Sequence, residues 1–381
     1  MKNEAGCSNM PLLGSIRHRR RYLPKADPGI WIPAVVLMTA GTVLVFSASA
    51  ILAWDKFSTS GFFWIRQLVW WAAALGAMFI FSRVDYRKLV RFVPLALVVG
   101  FLSLVVVLGA SPVRDARRWF HLGPLVIQPS ELFRLAYLFF LAFSLARRQE
   151  KVRDPRYLAT YAVVLGAASA LLMLEPSFSS VLCLWATTIV VLWIAGVRTR
   201  FILGGVGLVA VLAAVIVFGF GYKKSRVDNY FAMVADPTQG CYQVCQAAIA
   251  MGVGGVTGAG LGSGWGKMHY VPDPHTDFIF ASIAEETGLI GALVILLLYF
   301  TMVWRGLVAA ARAPDRFGFF LATAISISLI VHVAMNIGVV MGLVPTTGLP
   351  LPLLSYGGSS LLFTATGIGL VASVSRAGNK V

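Results

Sequence analysis

Asp277 is the acidic residue whose position in the sequence points most directly to chemistry. It lies in residues 275–280 (HTDFIF), where a long polar stretch meets an apolar run. Partial loss of water at such a boundary is expected to raise the pKa of a carboxyl group toward the range of a general base. The alternative is that Asp277 caps the helix that follows, because aspartate is favoured at that position.

Other charged residues fall inside apolar runs, where an ionisable group is costly and needs a partner or a function. Glu285 and Glu286 follow Asp277 by two helical turns. A structural ion pair with Arg66 or Arg134 is one interpretation of these two acids. Glu131 and Arg134 are three residues apart and can pair on one helix face. Such a pair would be structural or would line a polar cavity.

Two stretches could hold phosphate groups. Residues 114–119 contain Arg117, Arg118 and Trp119, and guanidinium groups match phosphate oxygens. Anchoring to lipid headgroups is the alternative there. Residues 252–266 are rich in glycine, and their N–H groups could form an anion-binding nest. The Walker lysine is absent, so tight packing of a re-entrant segment is an equal alternative.

The elements that must position these residues are apolar runs long enough to cross a membrane. Of the 381 residues, 58% are hydrophobic and 13% are charged, against roughly 25% charged in soluble domains. Runs near the required length of about 20 residues predict an all-α polytopic membrane protein with about ten transmembrane helices. The predicted spans are 30–53, 62–82, 90–109, 129–146, 157–174, 178–196, 201–220, 278–303, 317–338 and 357–375.

The distribution of Lys and Arg predicts the orientation of the chain. With the N-terminus in the cytoplasm, 22 of the 32 basic residues lie on the cytoplasmic side and eight on the other, as the positive-inside rule requires. The net charge of +16 then reflects topology, and no nucleic-acid partner is expected. The predicted organisation is a basic cytoplasmic arm (1–29), a membrane domain (30–376) and a cytoplasmic tail (377–381). A large extracytoplasmic loop (221–277) lies between helices 7 and 8.

Several short words, in one order along nearly the whole chain, resemble the SEDS family (shape, elongation, division and sporulation). They are residues 116–119 (ARRW), 128–132 (QPSEL), 275–280 (HTDFIF), 285–288 (EETG), 336–338 (NIG), 348–352 (GLPLP) and 355–360 (SYGGSS). Residues 45–49 and 338–342 resemble the division-type FtsW branch more than the elongation-type RodA branch.

The resemblance implies a peptidoglycan glycosyltransferase that polymerises lipid II and releases undecaprenyl pyrophosphate. It implies that Asp277 is the essential loop aspartate. It also implies a class B penicillin-binding transpeptidase and other division proteins as partners, and a place in the inner membrane at the septum, among membrane lipids. The candidate substrate-binding residues are Arg66, Arg117, Arg118, Trp119, Glu131, Arg134, Glu286 and Ser355. The sequence shows no clear metal cage, so a divalent cation (Mg or Mn) stays open.

The sequence departs from the family pattern at three positions. Arg134 stands where the family usually has Lys, Ser177 where it has Asp, and His332 where Gln is more usual. Arg is a planar fork and Lys a point charge, so contacts at position 134 are expected to differ. Three other functions compete with division-type polymerisation: a lipid II flippase, an elongation-type polymerase, and a non-catalytic scaffold.

Overall fold

The structure is a computed structural model that describes residues 26–110, 118–122, 125–214, 224–235, 242–264 and 274–378. These residues form twelve α-helices and one short β-hairpin. The helices are α1 (Pro28–Phe57), α2 (Phe62–Arg83), α3 (Val93–Val107), α4 (Pro129–Arg147), α5 (Pro155–Leu174), α6 (Phe178–Ile194), α7 (Thr199–Ala214), α8 (Lys224–Ala235), α9 (Tyr242–Gly254), α10 (Ile279–Ala311), α11 (Arg316–Val340) and α12 (Gly358–Gly378). The hairpin strands are β1 (Phe120–Leu122) and β2 (Leu125–Ile127), paired antiparallel.

The predicted all-α membrane architecture is confirmed, whereas the count of ten spans is not. A helix begins within about three residues of each predicted start, in line with the usual accuracy of boundaries. Among the described residues, eight helices are long and apolar enough to cross a membrane, one of them being α3 together with the 3₁₀ helix before it (Tyr86–Val107). The helices α6 and α7 have 17 and 16 residues and fall below that length. The predicted loop 221–277 contains α8 and α9.

Local sequence explains where several helices begin. Asp27 and Asp154 each precede a proline and accept a hydrogen bond from the backbone N–H two residues on. Aspartate at the N-cap satisfies a free N–H group, and proline is tolerated in the first turn. On α11 the cap is Asp315, which accepts from the N–H of Gly318. Short polar signals therefore fix helix starts within an otherwise apolar chain.

The connection between α11 and α12 dips into the bundle. A Cβ on Gly41, in the middle of α1, would collide with the backbone of Leu353 and Leu354, and the Tyr299 hydroxyl of α10 donates to the Pro352 carbonyl. Irregular backbone at membrane depth is tolerated when it is buried in protein. We call the side that holds this connection, the hairpin, the α5–α6 turn and residues 274–277 the Asp277 side.

Candidate active site

Asp277 lies just before α10, and this helix is broken at Gly288. Gly288 has φ +69° and ψ −169°, a conformation essentially confined to glycine. The residues after α9 fill the break: Ala259 and Gly260 donate to the carbonyls of Glu285 and Glu286. The N–H groups of α10 beyond the kink donate back to the carbonyls of residues 255 and 256.

The glycines of this segment serve close backbone packing. A Cβ at Gly254 would collide with the Ala284 carbonyl, and one at Gly258 with the Glu286 carbonyl. Because glycine allows such approach, the described residues 252–264 act as a re-entrant packing element. Of the two sequence interpretations, the structure supports packing rather than a phosphate nest.

Three successive backbone carbonyls lead up to α10, and each accepts a hydrogen bond from a residue of α11 or the α11–α12 connection. The Tyr356 N–H donates to the His275 carbonyl at 2.9 Å, and the Ser355 hydroxyl donates to the Thr276 carbonyl at 2.5 Å. The Nδ2 of Asn336 donates to the carbonyl of the next residue, Asp277, at 2.9 Å. We call these three donors the carbonyl clamp.

The side chain of Asp277 does not act as the helix cap. The N-cap residue of α10 is Phe278, and no side chain caps this helix. Asp277 is half-buried, and a Cβ placed on Gly348 would lie 3.4 Å from its Oδ2. Gly348 has φ +73°, a left-handed conformation that favours glycine. The chemical role of Asp277 stays a prediction.

A cationic group lies near the same segment. Arg66 of α2 lies near Tyr356, close enough for its positive charge to act on the phenol, and its guanidinium lies 4.4 Å from the ring centroid of Phe62. Burial raises the pKa of the Tyr356 phenol, and the positive charge of Arg66 opposes that rise. The ring of Phe63 lies 5.0 Å from His275 and 5.3 Å from Tyr356. Arg66 is therefore held beside the residues that fix Asp277.

Two deeper acidic groups line the interior. Glu286 is buried and its Oε1 accepts a hydrogen bond from the Ser47 hydroxyl of α1 at 2.5 Å. Glu131 and Arg134 form a buried ion pair at 2.6 Å, as their spacing predicted, and Arg134 also donates to the Thr364 hydroxyl of α12 at 3.0 Å.

A small cavity lies beside this ion pair. Its volume is about 20 Å³, and its polar lining comes from Arg134, Ser328 and Thr364. That is room for one water molecule. The Arg134 guanidinium donates to both Glu131 and Thr364. A lysine ammonium would make such contacts with less directional preference.

Arg118 has partners other than those expected from the sequence. Its guanidinium donates to the carbonyls of Glu175, at 2.7 Å, and Pro176. It therefore ties the start of the hairpin to the α5–α6 turn, and the expected pyrophosphate contact stays a prediction. The Glu175 side chain is fully buried, and neither carboxyl oxygen has a hydrogen-bond partner in the described part of the chain. Burial raises the pKa of Glu175 to about 8, although Arg118 opposes that rise.

The structure brings some predicted site residues together and separates others. Ser355 contacts the residue before Asp277, and Arg66 lies near Tyr356, the residue after Ser355, whereas the Glu131–Arg134 pair is buried and reaches α12 through Thr364. Trp119 is half-buried at the start of the hairpin, and Arg117 lies outside the described residues. Ser355 is buried, and its oxygen accepts from the Leu351 N–H while its hydroxyl donates to Thr276, so its observed contacts are positional.

Sequence reasoning missed the roles of Asn336 and Tyr356. Both lie in motifs that were noted, but nothing in their spacing shows that they reach residues 275–277. A polar amide in an otherwise apolar helix is the only signal that could have drawn attention to Asn336.

The fold and the site define a class: a multi-pass helical membrane protein in which a broken helix and a re-entrant connection hold a half-buried carboxylate. The family model described as cell cycle protein, which covers FtsW, RodA and SpoVE, matches residues 29–380. The chain belongs to this family.

Individual relatives agree with that membership. The chain is 38% identical over 361 residues to the probable peptidoglycan glycosyltransferase FtsW of Geobacter metallireducens, covering 93% of this chain and 96% of that one. It is 39% identical over 352 residues to stage V sporulation protein E of Bacillus subtilis, covering 91% and 95%. Among solved structures, a chain of a peptidoglycan synthase complex that coordinates polymerization and crosslinking aligns with TM-score 0.76, 28% identity and coverage of 93% and 99%.

Proposed function

We propose that the protein is a peptidoglycan glycosyltransferase that polymerises lipid II, with Asp277 as the general base. The observation that carries this proposal is the half-buried Asp277 carboxylate, held beside Gly348 by the carbonyl clamp in a chain of the FtsW, RodA and SpoVE family. The relatives named peptidoglycan glycosyltransferase support the reaction class.

Asp277 takes the proton from the 4-hydroxyl of the terminal GlcNAc of the acceptor. The freed oxygen attacks C1 of MurNAc on the donor, and the bond from C1 to the pyrophosphate oxygen breaks, inverting the configuration at that carbon. Undecaprenyl pyrophosphate leaves as a stabilised anion, so a separate general acid is less necessary than in glycoside hydrolysis.

Charge develops on the leaving pyrophosphate, and preorganised cations stabilise such charge. Arg66 is the described cation best placed for this role because its charge acts on Tyr356, a member of the carbonyl clamp. The Arg118 guanidinium already donates to the Glu175 carbonyl in the α5–α6 turn. We therefore assign the charge-stabilising role to Arg66 in preference to Arg118.

The test is polymerisation of lipid II by the purified, folded protein in detergent. Asp277→Asn keeps the shape of the side chain but removes the base, and we expect the rate to fall at least about 10³-fold. Positioned general bases contribute about 10²–10⁴-fold. Asp55→Asn is the matched control, since Asp55 is an exposed carboxylate at the end of α1 on the same side. Unchanged polymerisation by Asp277→Asn would exclude the base role.

The same assay separates the competing functions. Detergent leaves no membrane to cross, so glycan chains made there come from a polymerase and not from a flippase. A scaffold would make none and would still copurify with a partner.

We further propose that the Asp277 side faces away from the cytoplasm in the bacterial inner membrane and that the protein acts at the division septum. The excess of basic residues on the opposite side supports the orientation, and relatives named FtsW support division over elongation. A class B penicillin-binding transpeptidase is the proposed partner, because the aligned solved chain comes from a synthase complex. Side-specific cysteine labelling and copurification test these points.

A divalent cation (Mg or Mn) remains an untested prediction. No three His, Cys, Asp or Glu side chains in the described stretches are grouped as metal ligands, so no step above is routed through a metal. Titrating either ion into the polymerisation assay measures the dependence directly.

A further inference from the structure

We propose that Asn336, with Ser355, is a positioning residue for Asp277, and that the clamp sets the distance between the Asp277 carboxylate and the α11–α12 connection. This inference rests on the proposed function, since it concerns how the general base is held. Asn336 and Ser355 position the base and do not react themselves.

The contacts of Asn336 join two chain segments that are far apart in sequence. Its Nδ2 donates to the Asp277 carbonyl at 2.9 Å and to the Leu349 carbonyl at 2.7 Å. Both amide hydrogens are thereby used, one on each segment. Asn336 is 1% exposed, so water does not compete for these bonds. A side chain that joins the main chain of Asp277 to the residue after Gly348 fixes the gap beside the carboxylate.

Ser355 and Tyr356 supply the rest of the constraint. Their donors hold the carbonyls of Thr276 and His275, so three consecutive peptide units before α10 are fixed from one direction. With the main chain held, the Asp277 side chain has only its own two torsions left to vary. Holding a catalytic group in a near-attack geometry is worth large rate factors, and a 1 Å displacement costs about 10²-fold.

Part of the hydrogen-bonding capacity around the clamp is left open. The Oδ1 of Asn336 and the Oγ1 of Thr347 are buried, and the described residues provide neither with a hydrogen-bond partner. Unsatisfied buried polar atoms are uncommon and call for an explanation. Here the two atoms belong to residues that border Asp277 and Gly348.

The experiment measures kcat and KM for lipid II polymerisation in Asn336→Leu, Ser355→Ala, Ser359→Ala and Asp277→Asn. Asn336→Leu removes both donors at nearly constant volume, and we expect kcat to fall about 100-fold while KM changes less than about 3-fold. Ser355→Ala removes one donor, and we expect kcat to fall about 10-fold with the same constancy of KM.

Ser359→Ala is the matched control. Ser359 is also a buried serine whose hydroxyl donates to a backbone carbonyl, that of Val126 in the hairpin at 3.0 Å, and it lies four residues after Ser355. We expect its kcat to stay within about 2-fold of wild type. A general packing role for buried serines would lower both alanine variants equally, and that result would overturn the proposal.

The remaining outcomes also decide the matter. If Asn336→Leu does not fold, the comparison of Ser355→Ala with Ser359→Ala stands in its place. If Asp277→Asn is inactive while both clamp variants keep wild-type kcat, positioning by the clamp is wrong and the base role survives. If Asp277→Asn is fully active, the base role itself is wrong and the clamp has no base to position.

Discussion

The two ends of the helix bundle use polar side chains in different ways. On the side opposite Asp277, Asp315 is fully buried and accepts from the Gly318 N–H, the Tyr86 hydroxyl and the Arg87 guanidinium at 2.6–2.8 Å. On the Asp277 side, Glu175 is equally buried, yet neither of its carboxyl oxygens has a hydrogen-bond partner in the stretches that the structure describes.

We interpret the paired groups on the side opposite Asp277 as serving stability, and the unpaired groups on the Asp277 side as serving function. The paired groups around Asp315 fasten the α2–α3 and α10–α11 connections together. Buried polar groups with spare capacity are tolerated where a site needs them and cost stability in general. The comparison therefore predicts that substitutions at the two ends affect different measurements.

The largest expected effect is on stability, from Asp315→Ala. The change leaves Arg87, Tyr86 and a helix N–H group without their acceptor, and removal of one partner of a buried ion pair costs about 4 kcal/mol. Unfolding in mixed detergent–SDS micelles measures this loss. At a temperature where the variant is folded, polymerisation per folded molecule should stay within about 2-fold of wild type. A selective loss of activity would break the comparison by placing function at both ends.

The second-largest expected effect is a gain in stability, from Glu175→Gln. With a pKa of about 8 in the folded protein against an ordinary value of 4.5, Glu175 keeps a proton that the unfolded chain releases. The folded state therefore loses stability as the pH rises from about 4.5 to 8, and the full penalty is present above pH 8. Gln removes the titration, so we expect a gain of about 3 kcal/mol at pH 7.

The pH dependence makes this prediction specific. The advantage of Glu175→Gln should be small at pH 5, grow up to pH 8 and then level off. Glu150→Gln, at an exposed glutamate, is the matched control and should show no such trend. If Glu175→Gln destabilises the protein at every pH, the carboxyl group has a partner that the comparison of the two sides leaves out.

The fold was predictable because a lipid environment demands long apolar helices, and such runs can be read directly from composition. The Glu131–Arg134 pair was predictable for a similar reason, since its partners are one helical turn apart. The contacts around Asp277 were not. Asn336 lies 59 residues from Asp277, and Ser355 lies 79 residues from Thr276, and periodicity carries no information over such distances.

Arg118 shows a second limit of sequence reasoning. Its charge and its neighbour Trp119 indicated a phosphate contact, but a guanidinium donates equally well to backbone carbonyls. Which acceptor it meets depends on where the α5–α6 turn lies. Residue type therefore gave the chemistry available at Arg118, whereas tertiary structure selected the partner.

The smallest expected effect compares two serines, one from each end. The Ser47 hydroxyl donates to Glu286 at 2.5 Å near the break in α10, and the Ser373 hydroxyl donates to the Val84 carbonyl at 2.6 Å on the opposite side. Replacement of either by alanine should cost about 1 kcal/mol, the typical net value of one hydrogen bond. Equal stability losses are therefore the expected baseline.

Activity should separate the two variants. Ser47→Ala removes one hydrogen bond from the Glu286 carboxylate, two turns from Asp277. It should lower kcat about 3-fold, because the break in α10 supports the segment that holds the proposed base. Ser373→Ala should leave kcat unchanged, since Val84 lies on the side opposite Asp277. The measurement is the kcat of lipid II polymerisation for each variant, at matched folded fractions. Equal kcat values for the two variants would show that Glu286 stabilises α10 without contributing to the site.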